Sequence, residues 1–141
     1  MIGPLKRLAA LLLIAASLTA VTGCSLAADP LDGTQWRLSG WTISSIDPAA
    51  VTITAAFADG QVSGGSGVNT YSGSYKAGPG GAFETGKISG TLMAGPEPAM
   101  RAESAYLTLI RQARSFEVAD GELTLLDEGG NVSLVFKTAG E

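Results

Sequence analysis

From Leu31 onward, apolar and polar residues alternate in short runs separated by turn-forming residues, the pattern of an antiparallel sheet. GTQWRLSGWTI places Trp36 and Leu38 on one face and Arg37 and Ser39 on the other. VTITAAF alternates strictly, with Val51, Ile53, Ala55 and Phe57 inward and Thr52 and Thr54 outward. ADG at residues 58–60 predicts a turn into a strand around residues 61–63. A glycine-rich corner, GGSGVNTYSGSY (64–75), then runs into the strand TYSGSYKA. AGPGGA (77–82) is a further turn, and AFETGKISGTLM is two short strands or one strand bent at a glycine. Turn signals recurring roughly every ten residues predict a curved sheet or small β-barrel.

The period changes after Pro96 and Pro98, which cannot donate to a ladder and suit a helix entry. Over residues 99–114, Met100, Tyr106, Leu107, Leu109, Ile110 and Ala113 form one apolar stripe, with Arg101, Glu103, Thr108, Arg111 and Gln112 elsewhere. On this reading Glu103 is a solvated residue of the first turns. Acids near the start and Arg111 and Arg114 near the end complement the helix dipole. The remaining segment, SFEVADGELTLLDEGGNVSLVFK, predicts three strands joined by turns at Asp120-Gly121 and residues 129–131. The expected class is mostly β (α+β): a curved antiparallel sheet or small barrel with one amphipathic helix packed against it.

The N-terminus follows a different logic. Lys6 and Arg7 precede an uncharged run, LAALLLIAASLTA, too short for the roughly 20 residues of a membrane span. VTGC (21–24) resembles a lipobox, implying a signal peptide over 1–23, a diacylglycerol on the Cys24 sulfur, a tether over 24–30 and one folded domain over 31–138. Two acyl chains anchor stably where one does not. The expected location is therefore extracytoplasmic, with the membrane as partner through Cys24. Beyond the leader, seven basic residues face thirteen acidic ones, which disfavours nucleic acid.

The chain has no His, and its one Cys is committed to lipid, so Ser-His-Asp and Cys-His catalysis and His-based zinc sites are excluded by inventory. DEGGN (127–131) lacks the ligand spacing of a calcium loop and reads as a hairpin turn. Gly64, Gly65 and Gly67 have the wrong spacing for a dinucleotide fingerprint, and no GK[ST] follows. In the corner, glycines permit positive φ, Asn69 tolerates the left-handed region, and Tyr71 and Tyr75 share one strand face. Asn69, Tyr71 and Tyr75 are the candidate binding residues, and Ser72 and Lys76 extend that edge. A carboxylate pair such as Glu84 and Glu103 has no apolar pocket or fixed separation to recommend it for glycan chemistry. No cofactor, metal or catalytic residue is expected.

Four pieces in order, LDGTQWRL (31–38), FADGQVSGGSGVNTYSGSY (57–75), ISGTLMAGPEPAMRAESAYLTLI (88–110) and ELTLLDEGGNVSLVF (122–136), resemble the META domain (HslJ-like) family of bacterial lipoproteins. The resemblance implies a non-enzymatic envelope protein with a role in envelope integrity or in stress and antibiotic tolerance. The alternative is a small envelope binding or inhibitor protein, lysozyme-inhibitor-like or carrying a small apolar ligand, with an unidentified envelope protein or ligand as partner. Many relatives carry Cys where this chain has Val68 and Gly95. If relatives join those positions by a disulfide, its loss costs about 2–4 kcal/mol, and burial of Val68 recovers part of it.

Overall fold

The computed structural model describes residues 28–43 and 45–140; the leader, Cys24 and most of the tether lie outside the described residues. The chain folds as β1 (Thr34–Trp41), β2 (Thr54–Ala58), β3 (Gln61–Gly65), β4 (Thr70–Ala77), β5 (Phe83–Gly90), α1 (Glu97–Gln112), β6 (Ser115–Ala119), β7 (Glu122–Leu126) and β8 (Val132–Thr138). A 3-10 turn at Pro48–Ala50, capped by Asp47, lies between β1 and β2. All strand pairs are antiparallel, in the order β5-β4-β3-β2-β1-β8-β7-β6.

Two meanders thus meet where β8 returns beside β1. The sheet curls until its outer strands nearly meet. Ala82 bridges Ser115, the Phe83 amide donates to the Arg114 carbonyl, and the Phe116 amide donates to the Gly81 carbonyl. Beyond that bridge β5 and β6 separate, and α1, leaving one edge and arriving at the other, crosses the gap. A half-barrel with a helix over its open side is the result.

Alternation fills the interior. Trp36, Leu38, Ile53, Ala55, Phe57, Tyr71, Tyr75, Leu123, Leu125, Leu134 and Phe136 are buried, and α1 adds Ala102, Tyr106 and Ile110. Phe57 meets Tyr75 edge-on with centroids 4.8 Å apart, and Tyr106 meets Phe136 at 6.3 Å. Asp59-Gly60 and Asp120-Gly121 have positive φ at both positions, as two-residue hairpins require.

Several expectations change in detail. The helix begins and ends two residues earlier than the pattern predicts, because Pro98 fits its first turn and Ala113 is already extended at ψ 137°. AFETGKISGTLM forms one strand, irregular where Gly86 and Lys87 oppose Ser74, and it stops at Gly90. Trp41, which its place beside Gly40 and outside the alternation marks as the better candidate of the two tryptophans for exposure, is half-buried, and its indole N–H donates to the Ile46 carbonyl at 2.8 Å. Met100, Leu107 and Leu109 are only half-buried, whereas Glu103 is buried. The expectation of a solvated Glu103 is corrected by its phase on the helix: it lies three residues before Tyr106 and seven before Ile110, on the stripe that faces the sheet.

Candidate functional site

The glycine-rich corner between β3 and β4 turns towards the first half of α1. Gly67 has φ +122°, a conformation L side chains rarely adopt, and a Cβ there would lie 3.3 Å from the Ala99 carbonyl oxygen. Glycine therefore lets the corner approach the helix backbone. Its amides, freed from strand pairing, need an acceptor.

That acceptor is Glu103. Ser66 Oγ donates to Oε1 at 2.5 Å, the Asn69 amide donates to the same oxygen at 2.7 Å, and Asn69 Nδ2 donates to Oε2 at 2.8 Å. Val68 contributes a further backbone hydrogen bond. Burial pushes the carboxyl's pKa up, but these donors outweigh it and hold the group below the usual carboxylate range. The corner is thus an anion cradle occupied by a carboxylate of its own chain. No salt bridge neutralises Glu103 among the described residues.

Asn69 carries the network to a third segment. Its Nδ2 also donates to the Met93 carbonyl at 3.1 Å, while its Oδ1 accepts from Thr91 Oγ1 at 2.9 Å and from the Met93 amide at 2.7 Å. All four hydrogen-bonding positions of the side chain are then filled from the protein. Asn69 ties the corner, the helix and the segment after β5 into one unit. Beside this network, Val68 leans on Gly95: a Cβ built at Gly95 would lie 3.4 Å from the Val68 Cβ and 2.7 Å from its nearest methyl.

Of the predicted site residues, Asn69 and Tyr71 come together at this end of the sheet, both buried. Tyr71 OH donates to the Thr54 carbonyl at 2.8 Å and lies 2.6 Å from Tyr106 OH; burial pushes both phenols above their ordinary pKa. Tyr75 lies towards the other end of β4, where its hydroxyl bonds the Asp29 carboxylate. Burial first, and then Asp29, Asp32 and Asp59, raise its pKa. Ser72 and Lys76 face outward, as does Glu84, paired in register with Lys76 and on the opposite face from Glu103.

Sequence reasoning missed Glu103, Ser66 and Thr91. For Glu103 the signal was its helical phase; for Ser66 and Thr91 no local pattern marks them. A hollow of about 330 Å³ opens beside the network, with Tyr71, Ile88, Leu92 and Leu107 as apolar walls and Arg111 among its lining residues. Among the described residues, no cluster of His, Cys, Asp and Glu has the form of a metal site.

No protein of curated function matches the chain. Among solved structures, an NMR structure of a protein from Burkholderia xenovorans is similar, with 27% identity, a TM-score of 0.64, and coverage of 79% of this chain and 85% of that one. A crystal structure of a DUF4847 family protein from Bacteroides vulgatus shares the fold at 12% identity, with a TM-score of 0.57 over 79% of this chain and 96% of that one. The family profile that matches is the META domain, over residues 29–140, which takes in the whole sheet, the helix and the Glu103 cradle. The chain belongs to the META domain family.

Proposed function

We propose that this META-domain protein is a non-enzymatic, lipid-anchored module of the extracytoplasmic face of a bacterial envelope, where it supports envelope integrity under heat or antibiotic stress. The observation that carries the reading is the junction between leader and domain. VTGC ends at Cys24 after a charged and then apolar leader, and Leu31, seven residues later, is already buried in the core. Among the described residues no helix is long and apolar enough to cross a membrane; on this reading the thioether-linked lipid at Cys24 supplies the attachment.

The filled interior supports a module over a carrier of small apolar ligands: Trp36, Phe57 and Phe136 occupy the space such a ligand would need. The buried carboxylate supports a non-enzymatic reading, because Glu103 is committed to structural donors at both oxygens. Metabolic labelling with a fatty-acid analogue tests the anchor. The native chain is expected to label and to fractionate with membranes, and Cys24→Ala to do neither. A deletion strain complemented by native protein but not by Cys24→Ala, scored for survival of heat and antibiotic, tests the role. An unlabelled, freely secreted native protein would overturn the reading.

A further inference from the structure

Leu92 is 99% exposed and Met93 59% exposed, yet neither is loose. Thr91 bonds the Thr70 carbonyl through its amide, and Met93 is held through both backbone polar groups by Asn69. A fully exposed leucine held in place by a saturated buried network is preorganised for an apolar environment outside the domain.

The surroundings identify that environment. Four of the seven Lys and Arg that follow Cys24 lie along the same β5–α1 flank, and all four are exposed. Lys76 and Arg114 share a hollow with Phe83 and Glu84 at the start of β5, Lys87 sits at the strand's irregularity, and Arg111 lines the hollow that Leu92 borders. None forms a salt bridge among the described residues. Two of these cations already have acids or carbonyls beside them: Glu84 is the register partner of Lys76, Asp127 and Glu128 border a hollow with Arg114, and the Arg114 guanidinium donates to the Arg111 and Ala113 carbonyls. In the hollow of Arg111 and Leu92 the acid is Glu103, buried and satisfied by its own donors, while Glu117 and Glu122 lie on the β6–β8 meander and Asp29, Asp32 and Asp59 at the tether end. In an acidic protein this leaves Lys87 and Arg111 as exposed cations on the flank that ends in an apolar tip.

We infer that the β5–α1 flank docks on an anionic phospholipid surface, with Leu92 and Met93 entering the headgroup region and Lys87 and Arg111 facing the phosphates. The inference rests on the lipid-anchored reading for proximity alone. The chain from Cys24 to Asp29 reaches about 17 Å when extended. Asp29 is bonded to Tyr75, and Leu92 lies beside Thr70, about 17 Å further along β4 at the rise of a strand. The domain can therefore lie along the membrane that holds its anchor. Each cation near an anionic surface raises partitioning on the order of fivefold, and insertion of one leucine on the order of tenfold or more.

The test uses the full lipidated chain, purified from membranes and placed in phosphatidylcholine–phosphatidylglycerol vesicles. With Cys24 acylated, Leu92→Cys supplies a single free thiol for an environment-sensitive fluorophore, and Glu122→Cys on the far meander supplies the control. The expected result is a blue-shifted emission at position 92, quenched by nitroxide-labelled lipid. It should weaken more than tenfold on adding Lys87→Glu and Arg111→Glu, and weaken in pure phosphatidylcholine. A fluorophore at 92 as water-exposed as that at 122 would overturn the proposal, and burial of position 92 only in whole cells would assign the flank to a protein partner instead. Intact mass reports the anchor separately. If Cys24 carries no lipid, a labelled Cys24→Ser, Leu92→Cys chain must still dock on the same vesicles, at lower affinity, or the proposal fails.

Discussion

Truncating Glu103 to alanine removes the acceptor on which the corner closes. Ser66 Oγ, the Asn69 amide and Asn69 Nδ2 then face a hole at positions only 1–7% exposed in the folded protein. Hydrogen bonds to a charged group contribute about 1.5 kcal/mol each at the low end of their range, so three come to about 4.5 kcal/mol. Water entering from the adjacent hollow re-satisfies part of this, and the carboxylate's own desolvation is recovered, leaving an expected loss of about 3–4 kcal/mol. Glu103→Gln keeps one acceptor oxygen but turns an amide donor towards Asn69 Nδ2, and should cost about 2 kcal/mol. The pH dependence gives an independent reading. The folded pKa lies below the ordinary value of a glutamate side chain, so the carboxylate's contribution is fully present above that ordinary value and is lost as pH falls through the folded pKa. Urea unfolding of native protein and Glu103→Gln from neutral to acid pH should therefore give curves that converge below the ordinary carboxylate range, since glutamine cannot titrate. Parallel curves, or a loss under about 1 kcal/mol for Glu103→Ala, would refute the cradle as a source of stability.

Other consequences follow from named contacts. Val68→Cys with Gly95→Cys, in a Cys24→Ala background, should oxidise spontaneously, because the two β-carbons fall near disulfide distance; closing a loop of about 28 residues predicts about 3.5 kcal/mol, read as a higher urea midpoint that disappears on reduction. Gly95→Ala alone should destabilise by about 1–2 kcal/mol through collision with the Val68 methyls, and Val68→Ala should relieve it in a double-mutant cycle. Thr85 Oγ1 is buried without a partner among the described residues, so Thr85→Val should be neutral or stabilise by about 1 kcal/mol in thermal unfolding; a clear loss would mean that the hydroxyl has a partner. Gly64→Ala places a methyl 2.2 Å from the Thr54 carbonyl oxygen on β2, and should cost more than about 3 kcal/mol or abolish folding.

The strands were legible because burial on one face imposes a period of two, and Trp36, Leu38, Ile53, Phe57, Leu123 and Phe136 lie where that period puts them. The hairpins were legible because Asp-Gly pairs supply the required left-handed dihedrals. The end of β5 was not, since Leu92 and Met93 read as the continuation of a strand that the Asn69 network redirects outward. Charge was the less reliable guide on the helix. A glutamate among apolar residues reads as solvated, and its burial depends on donors 34 and 37 residues away in the chain, which no local window contains. Asn69 was correctly singled out as special, but the chemistry that makes it so is satisfaction by two distant segments, the helix at Glu103 and residues 91–93.

The two ways of fastening this end of the fold act on the same joint. The Glu103–Asn69 network ties residues 66–69 to the helix and to residues 91–93; the Val68–Gly95 contact ties the same corner to the segment that leads into the helix. A disulfide between positions 68 and 95 would constrain the unfolded chain, whereas the polar network acts only in the folded state and depends on an ionised carboxylate. With valine and glycine at those positions, this chain relies on packing and on Glu103. The expected signature is a domain that tolerates reductant and loses its corner in acid. Introducing the disulfide should therefore do more than add stability: by holding the corner without the carboxylate, it should reduce the cost of Glu103→Gln. A double-mutant cycle in urea combining the cystine with Glu103→Gln should show that coupling, and strict additivity would mean that the two fastenings hold different parts of the fold.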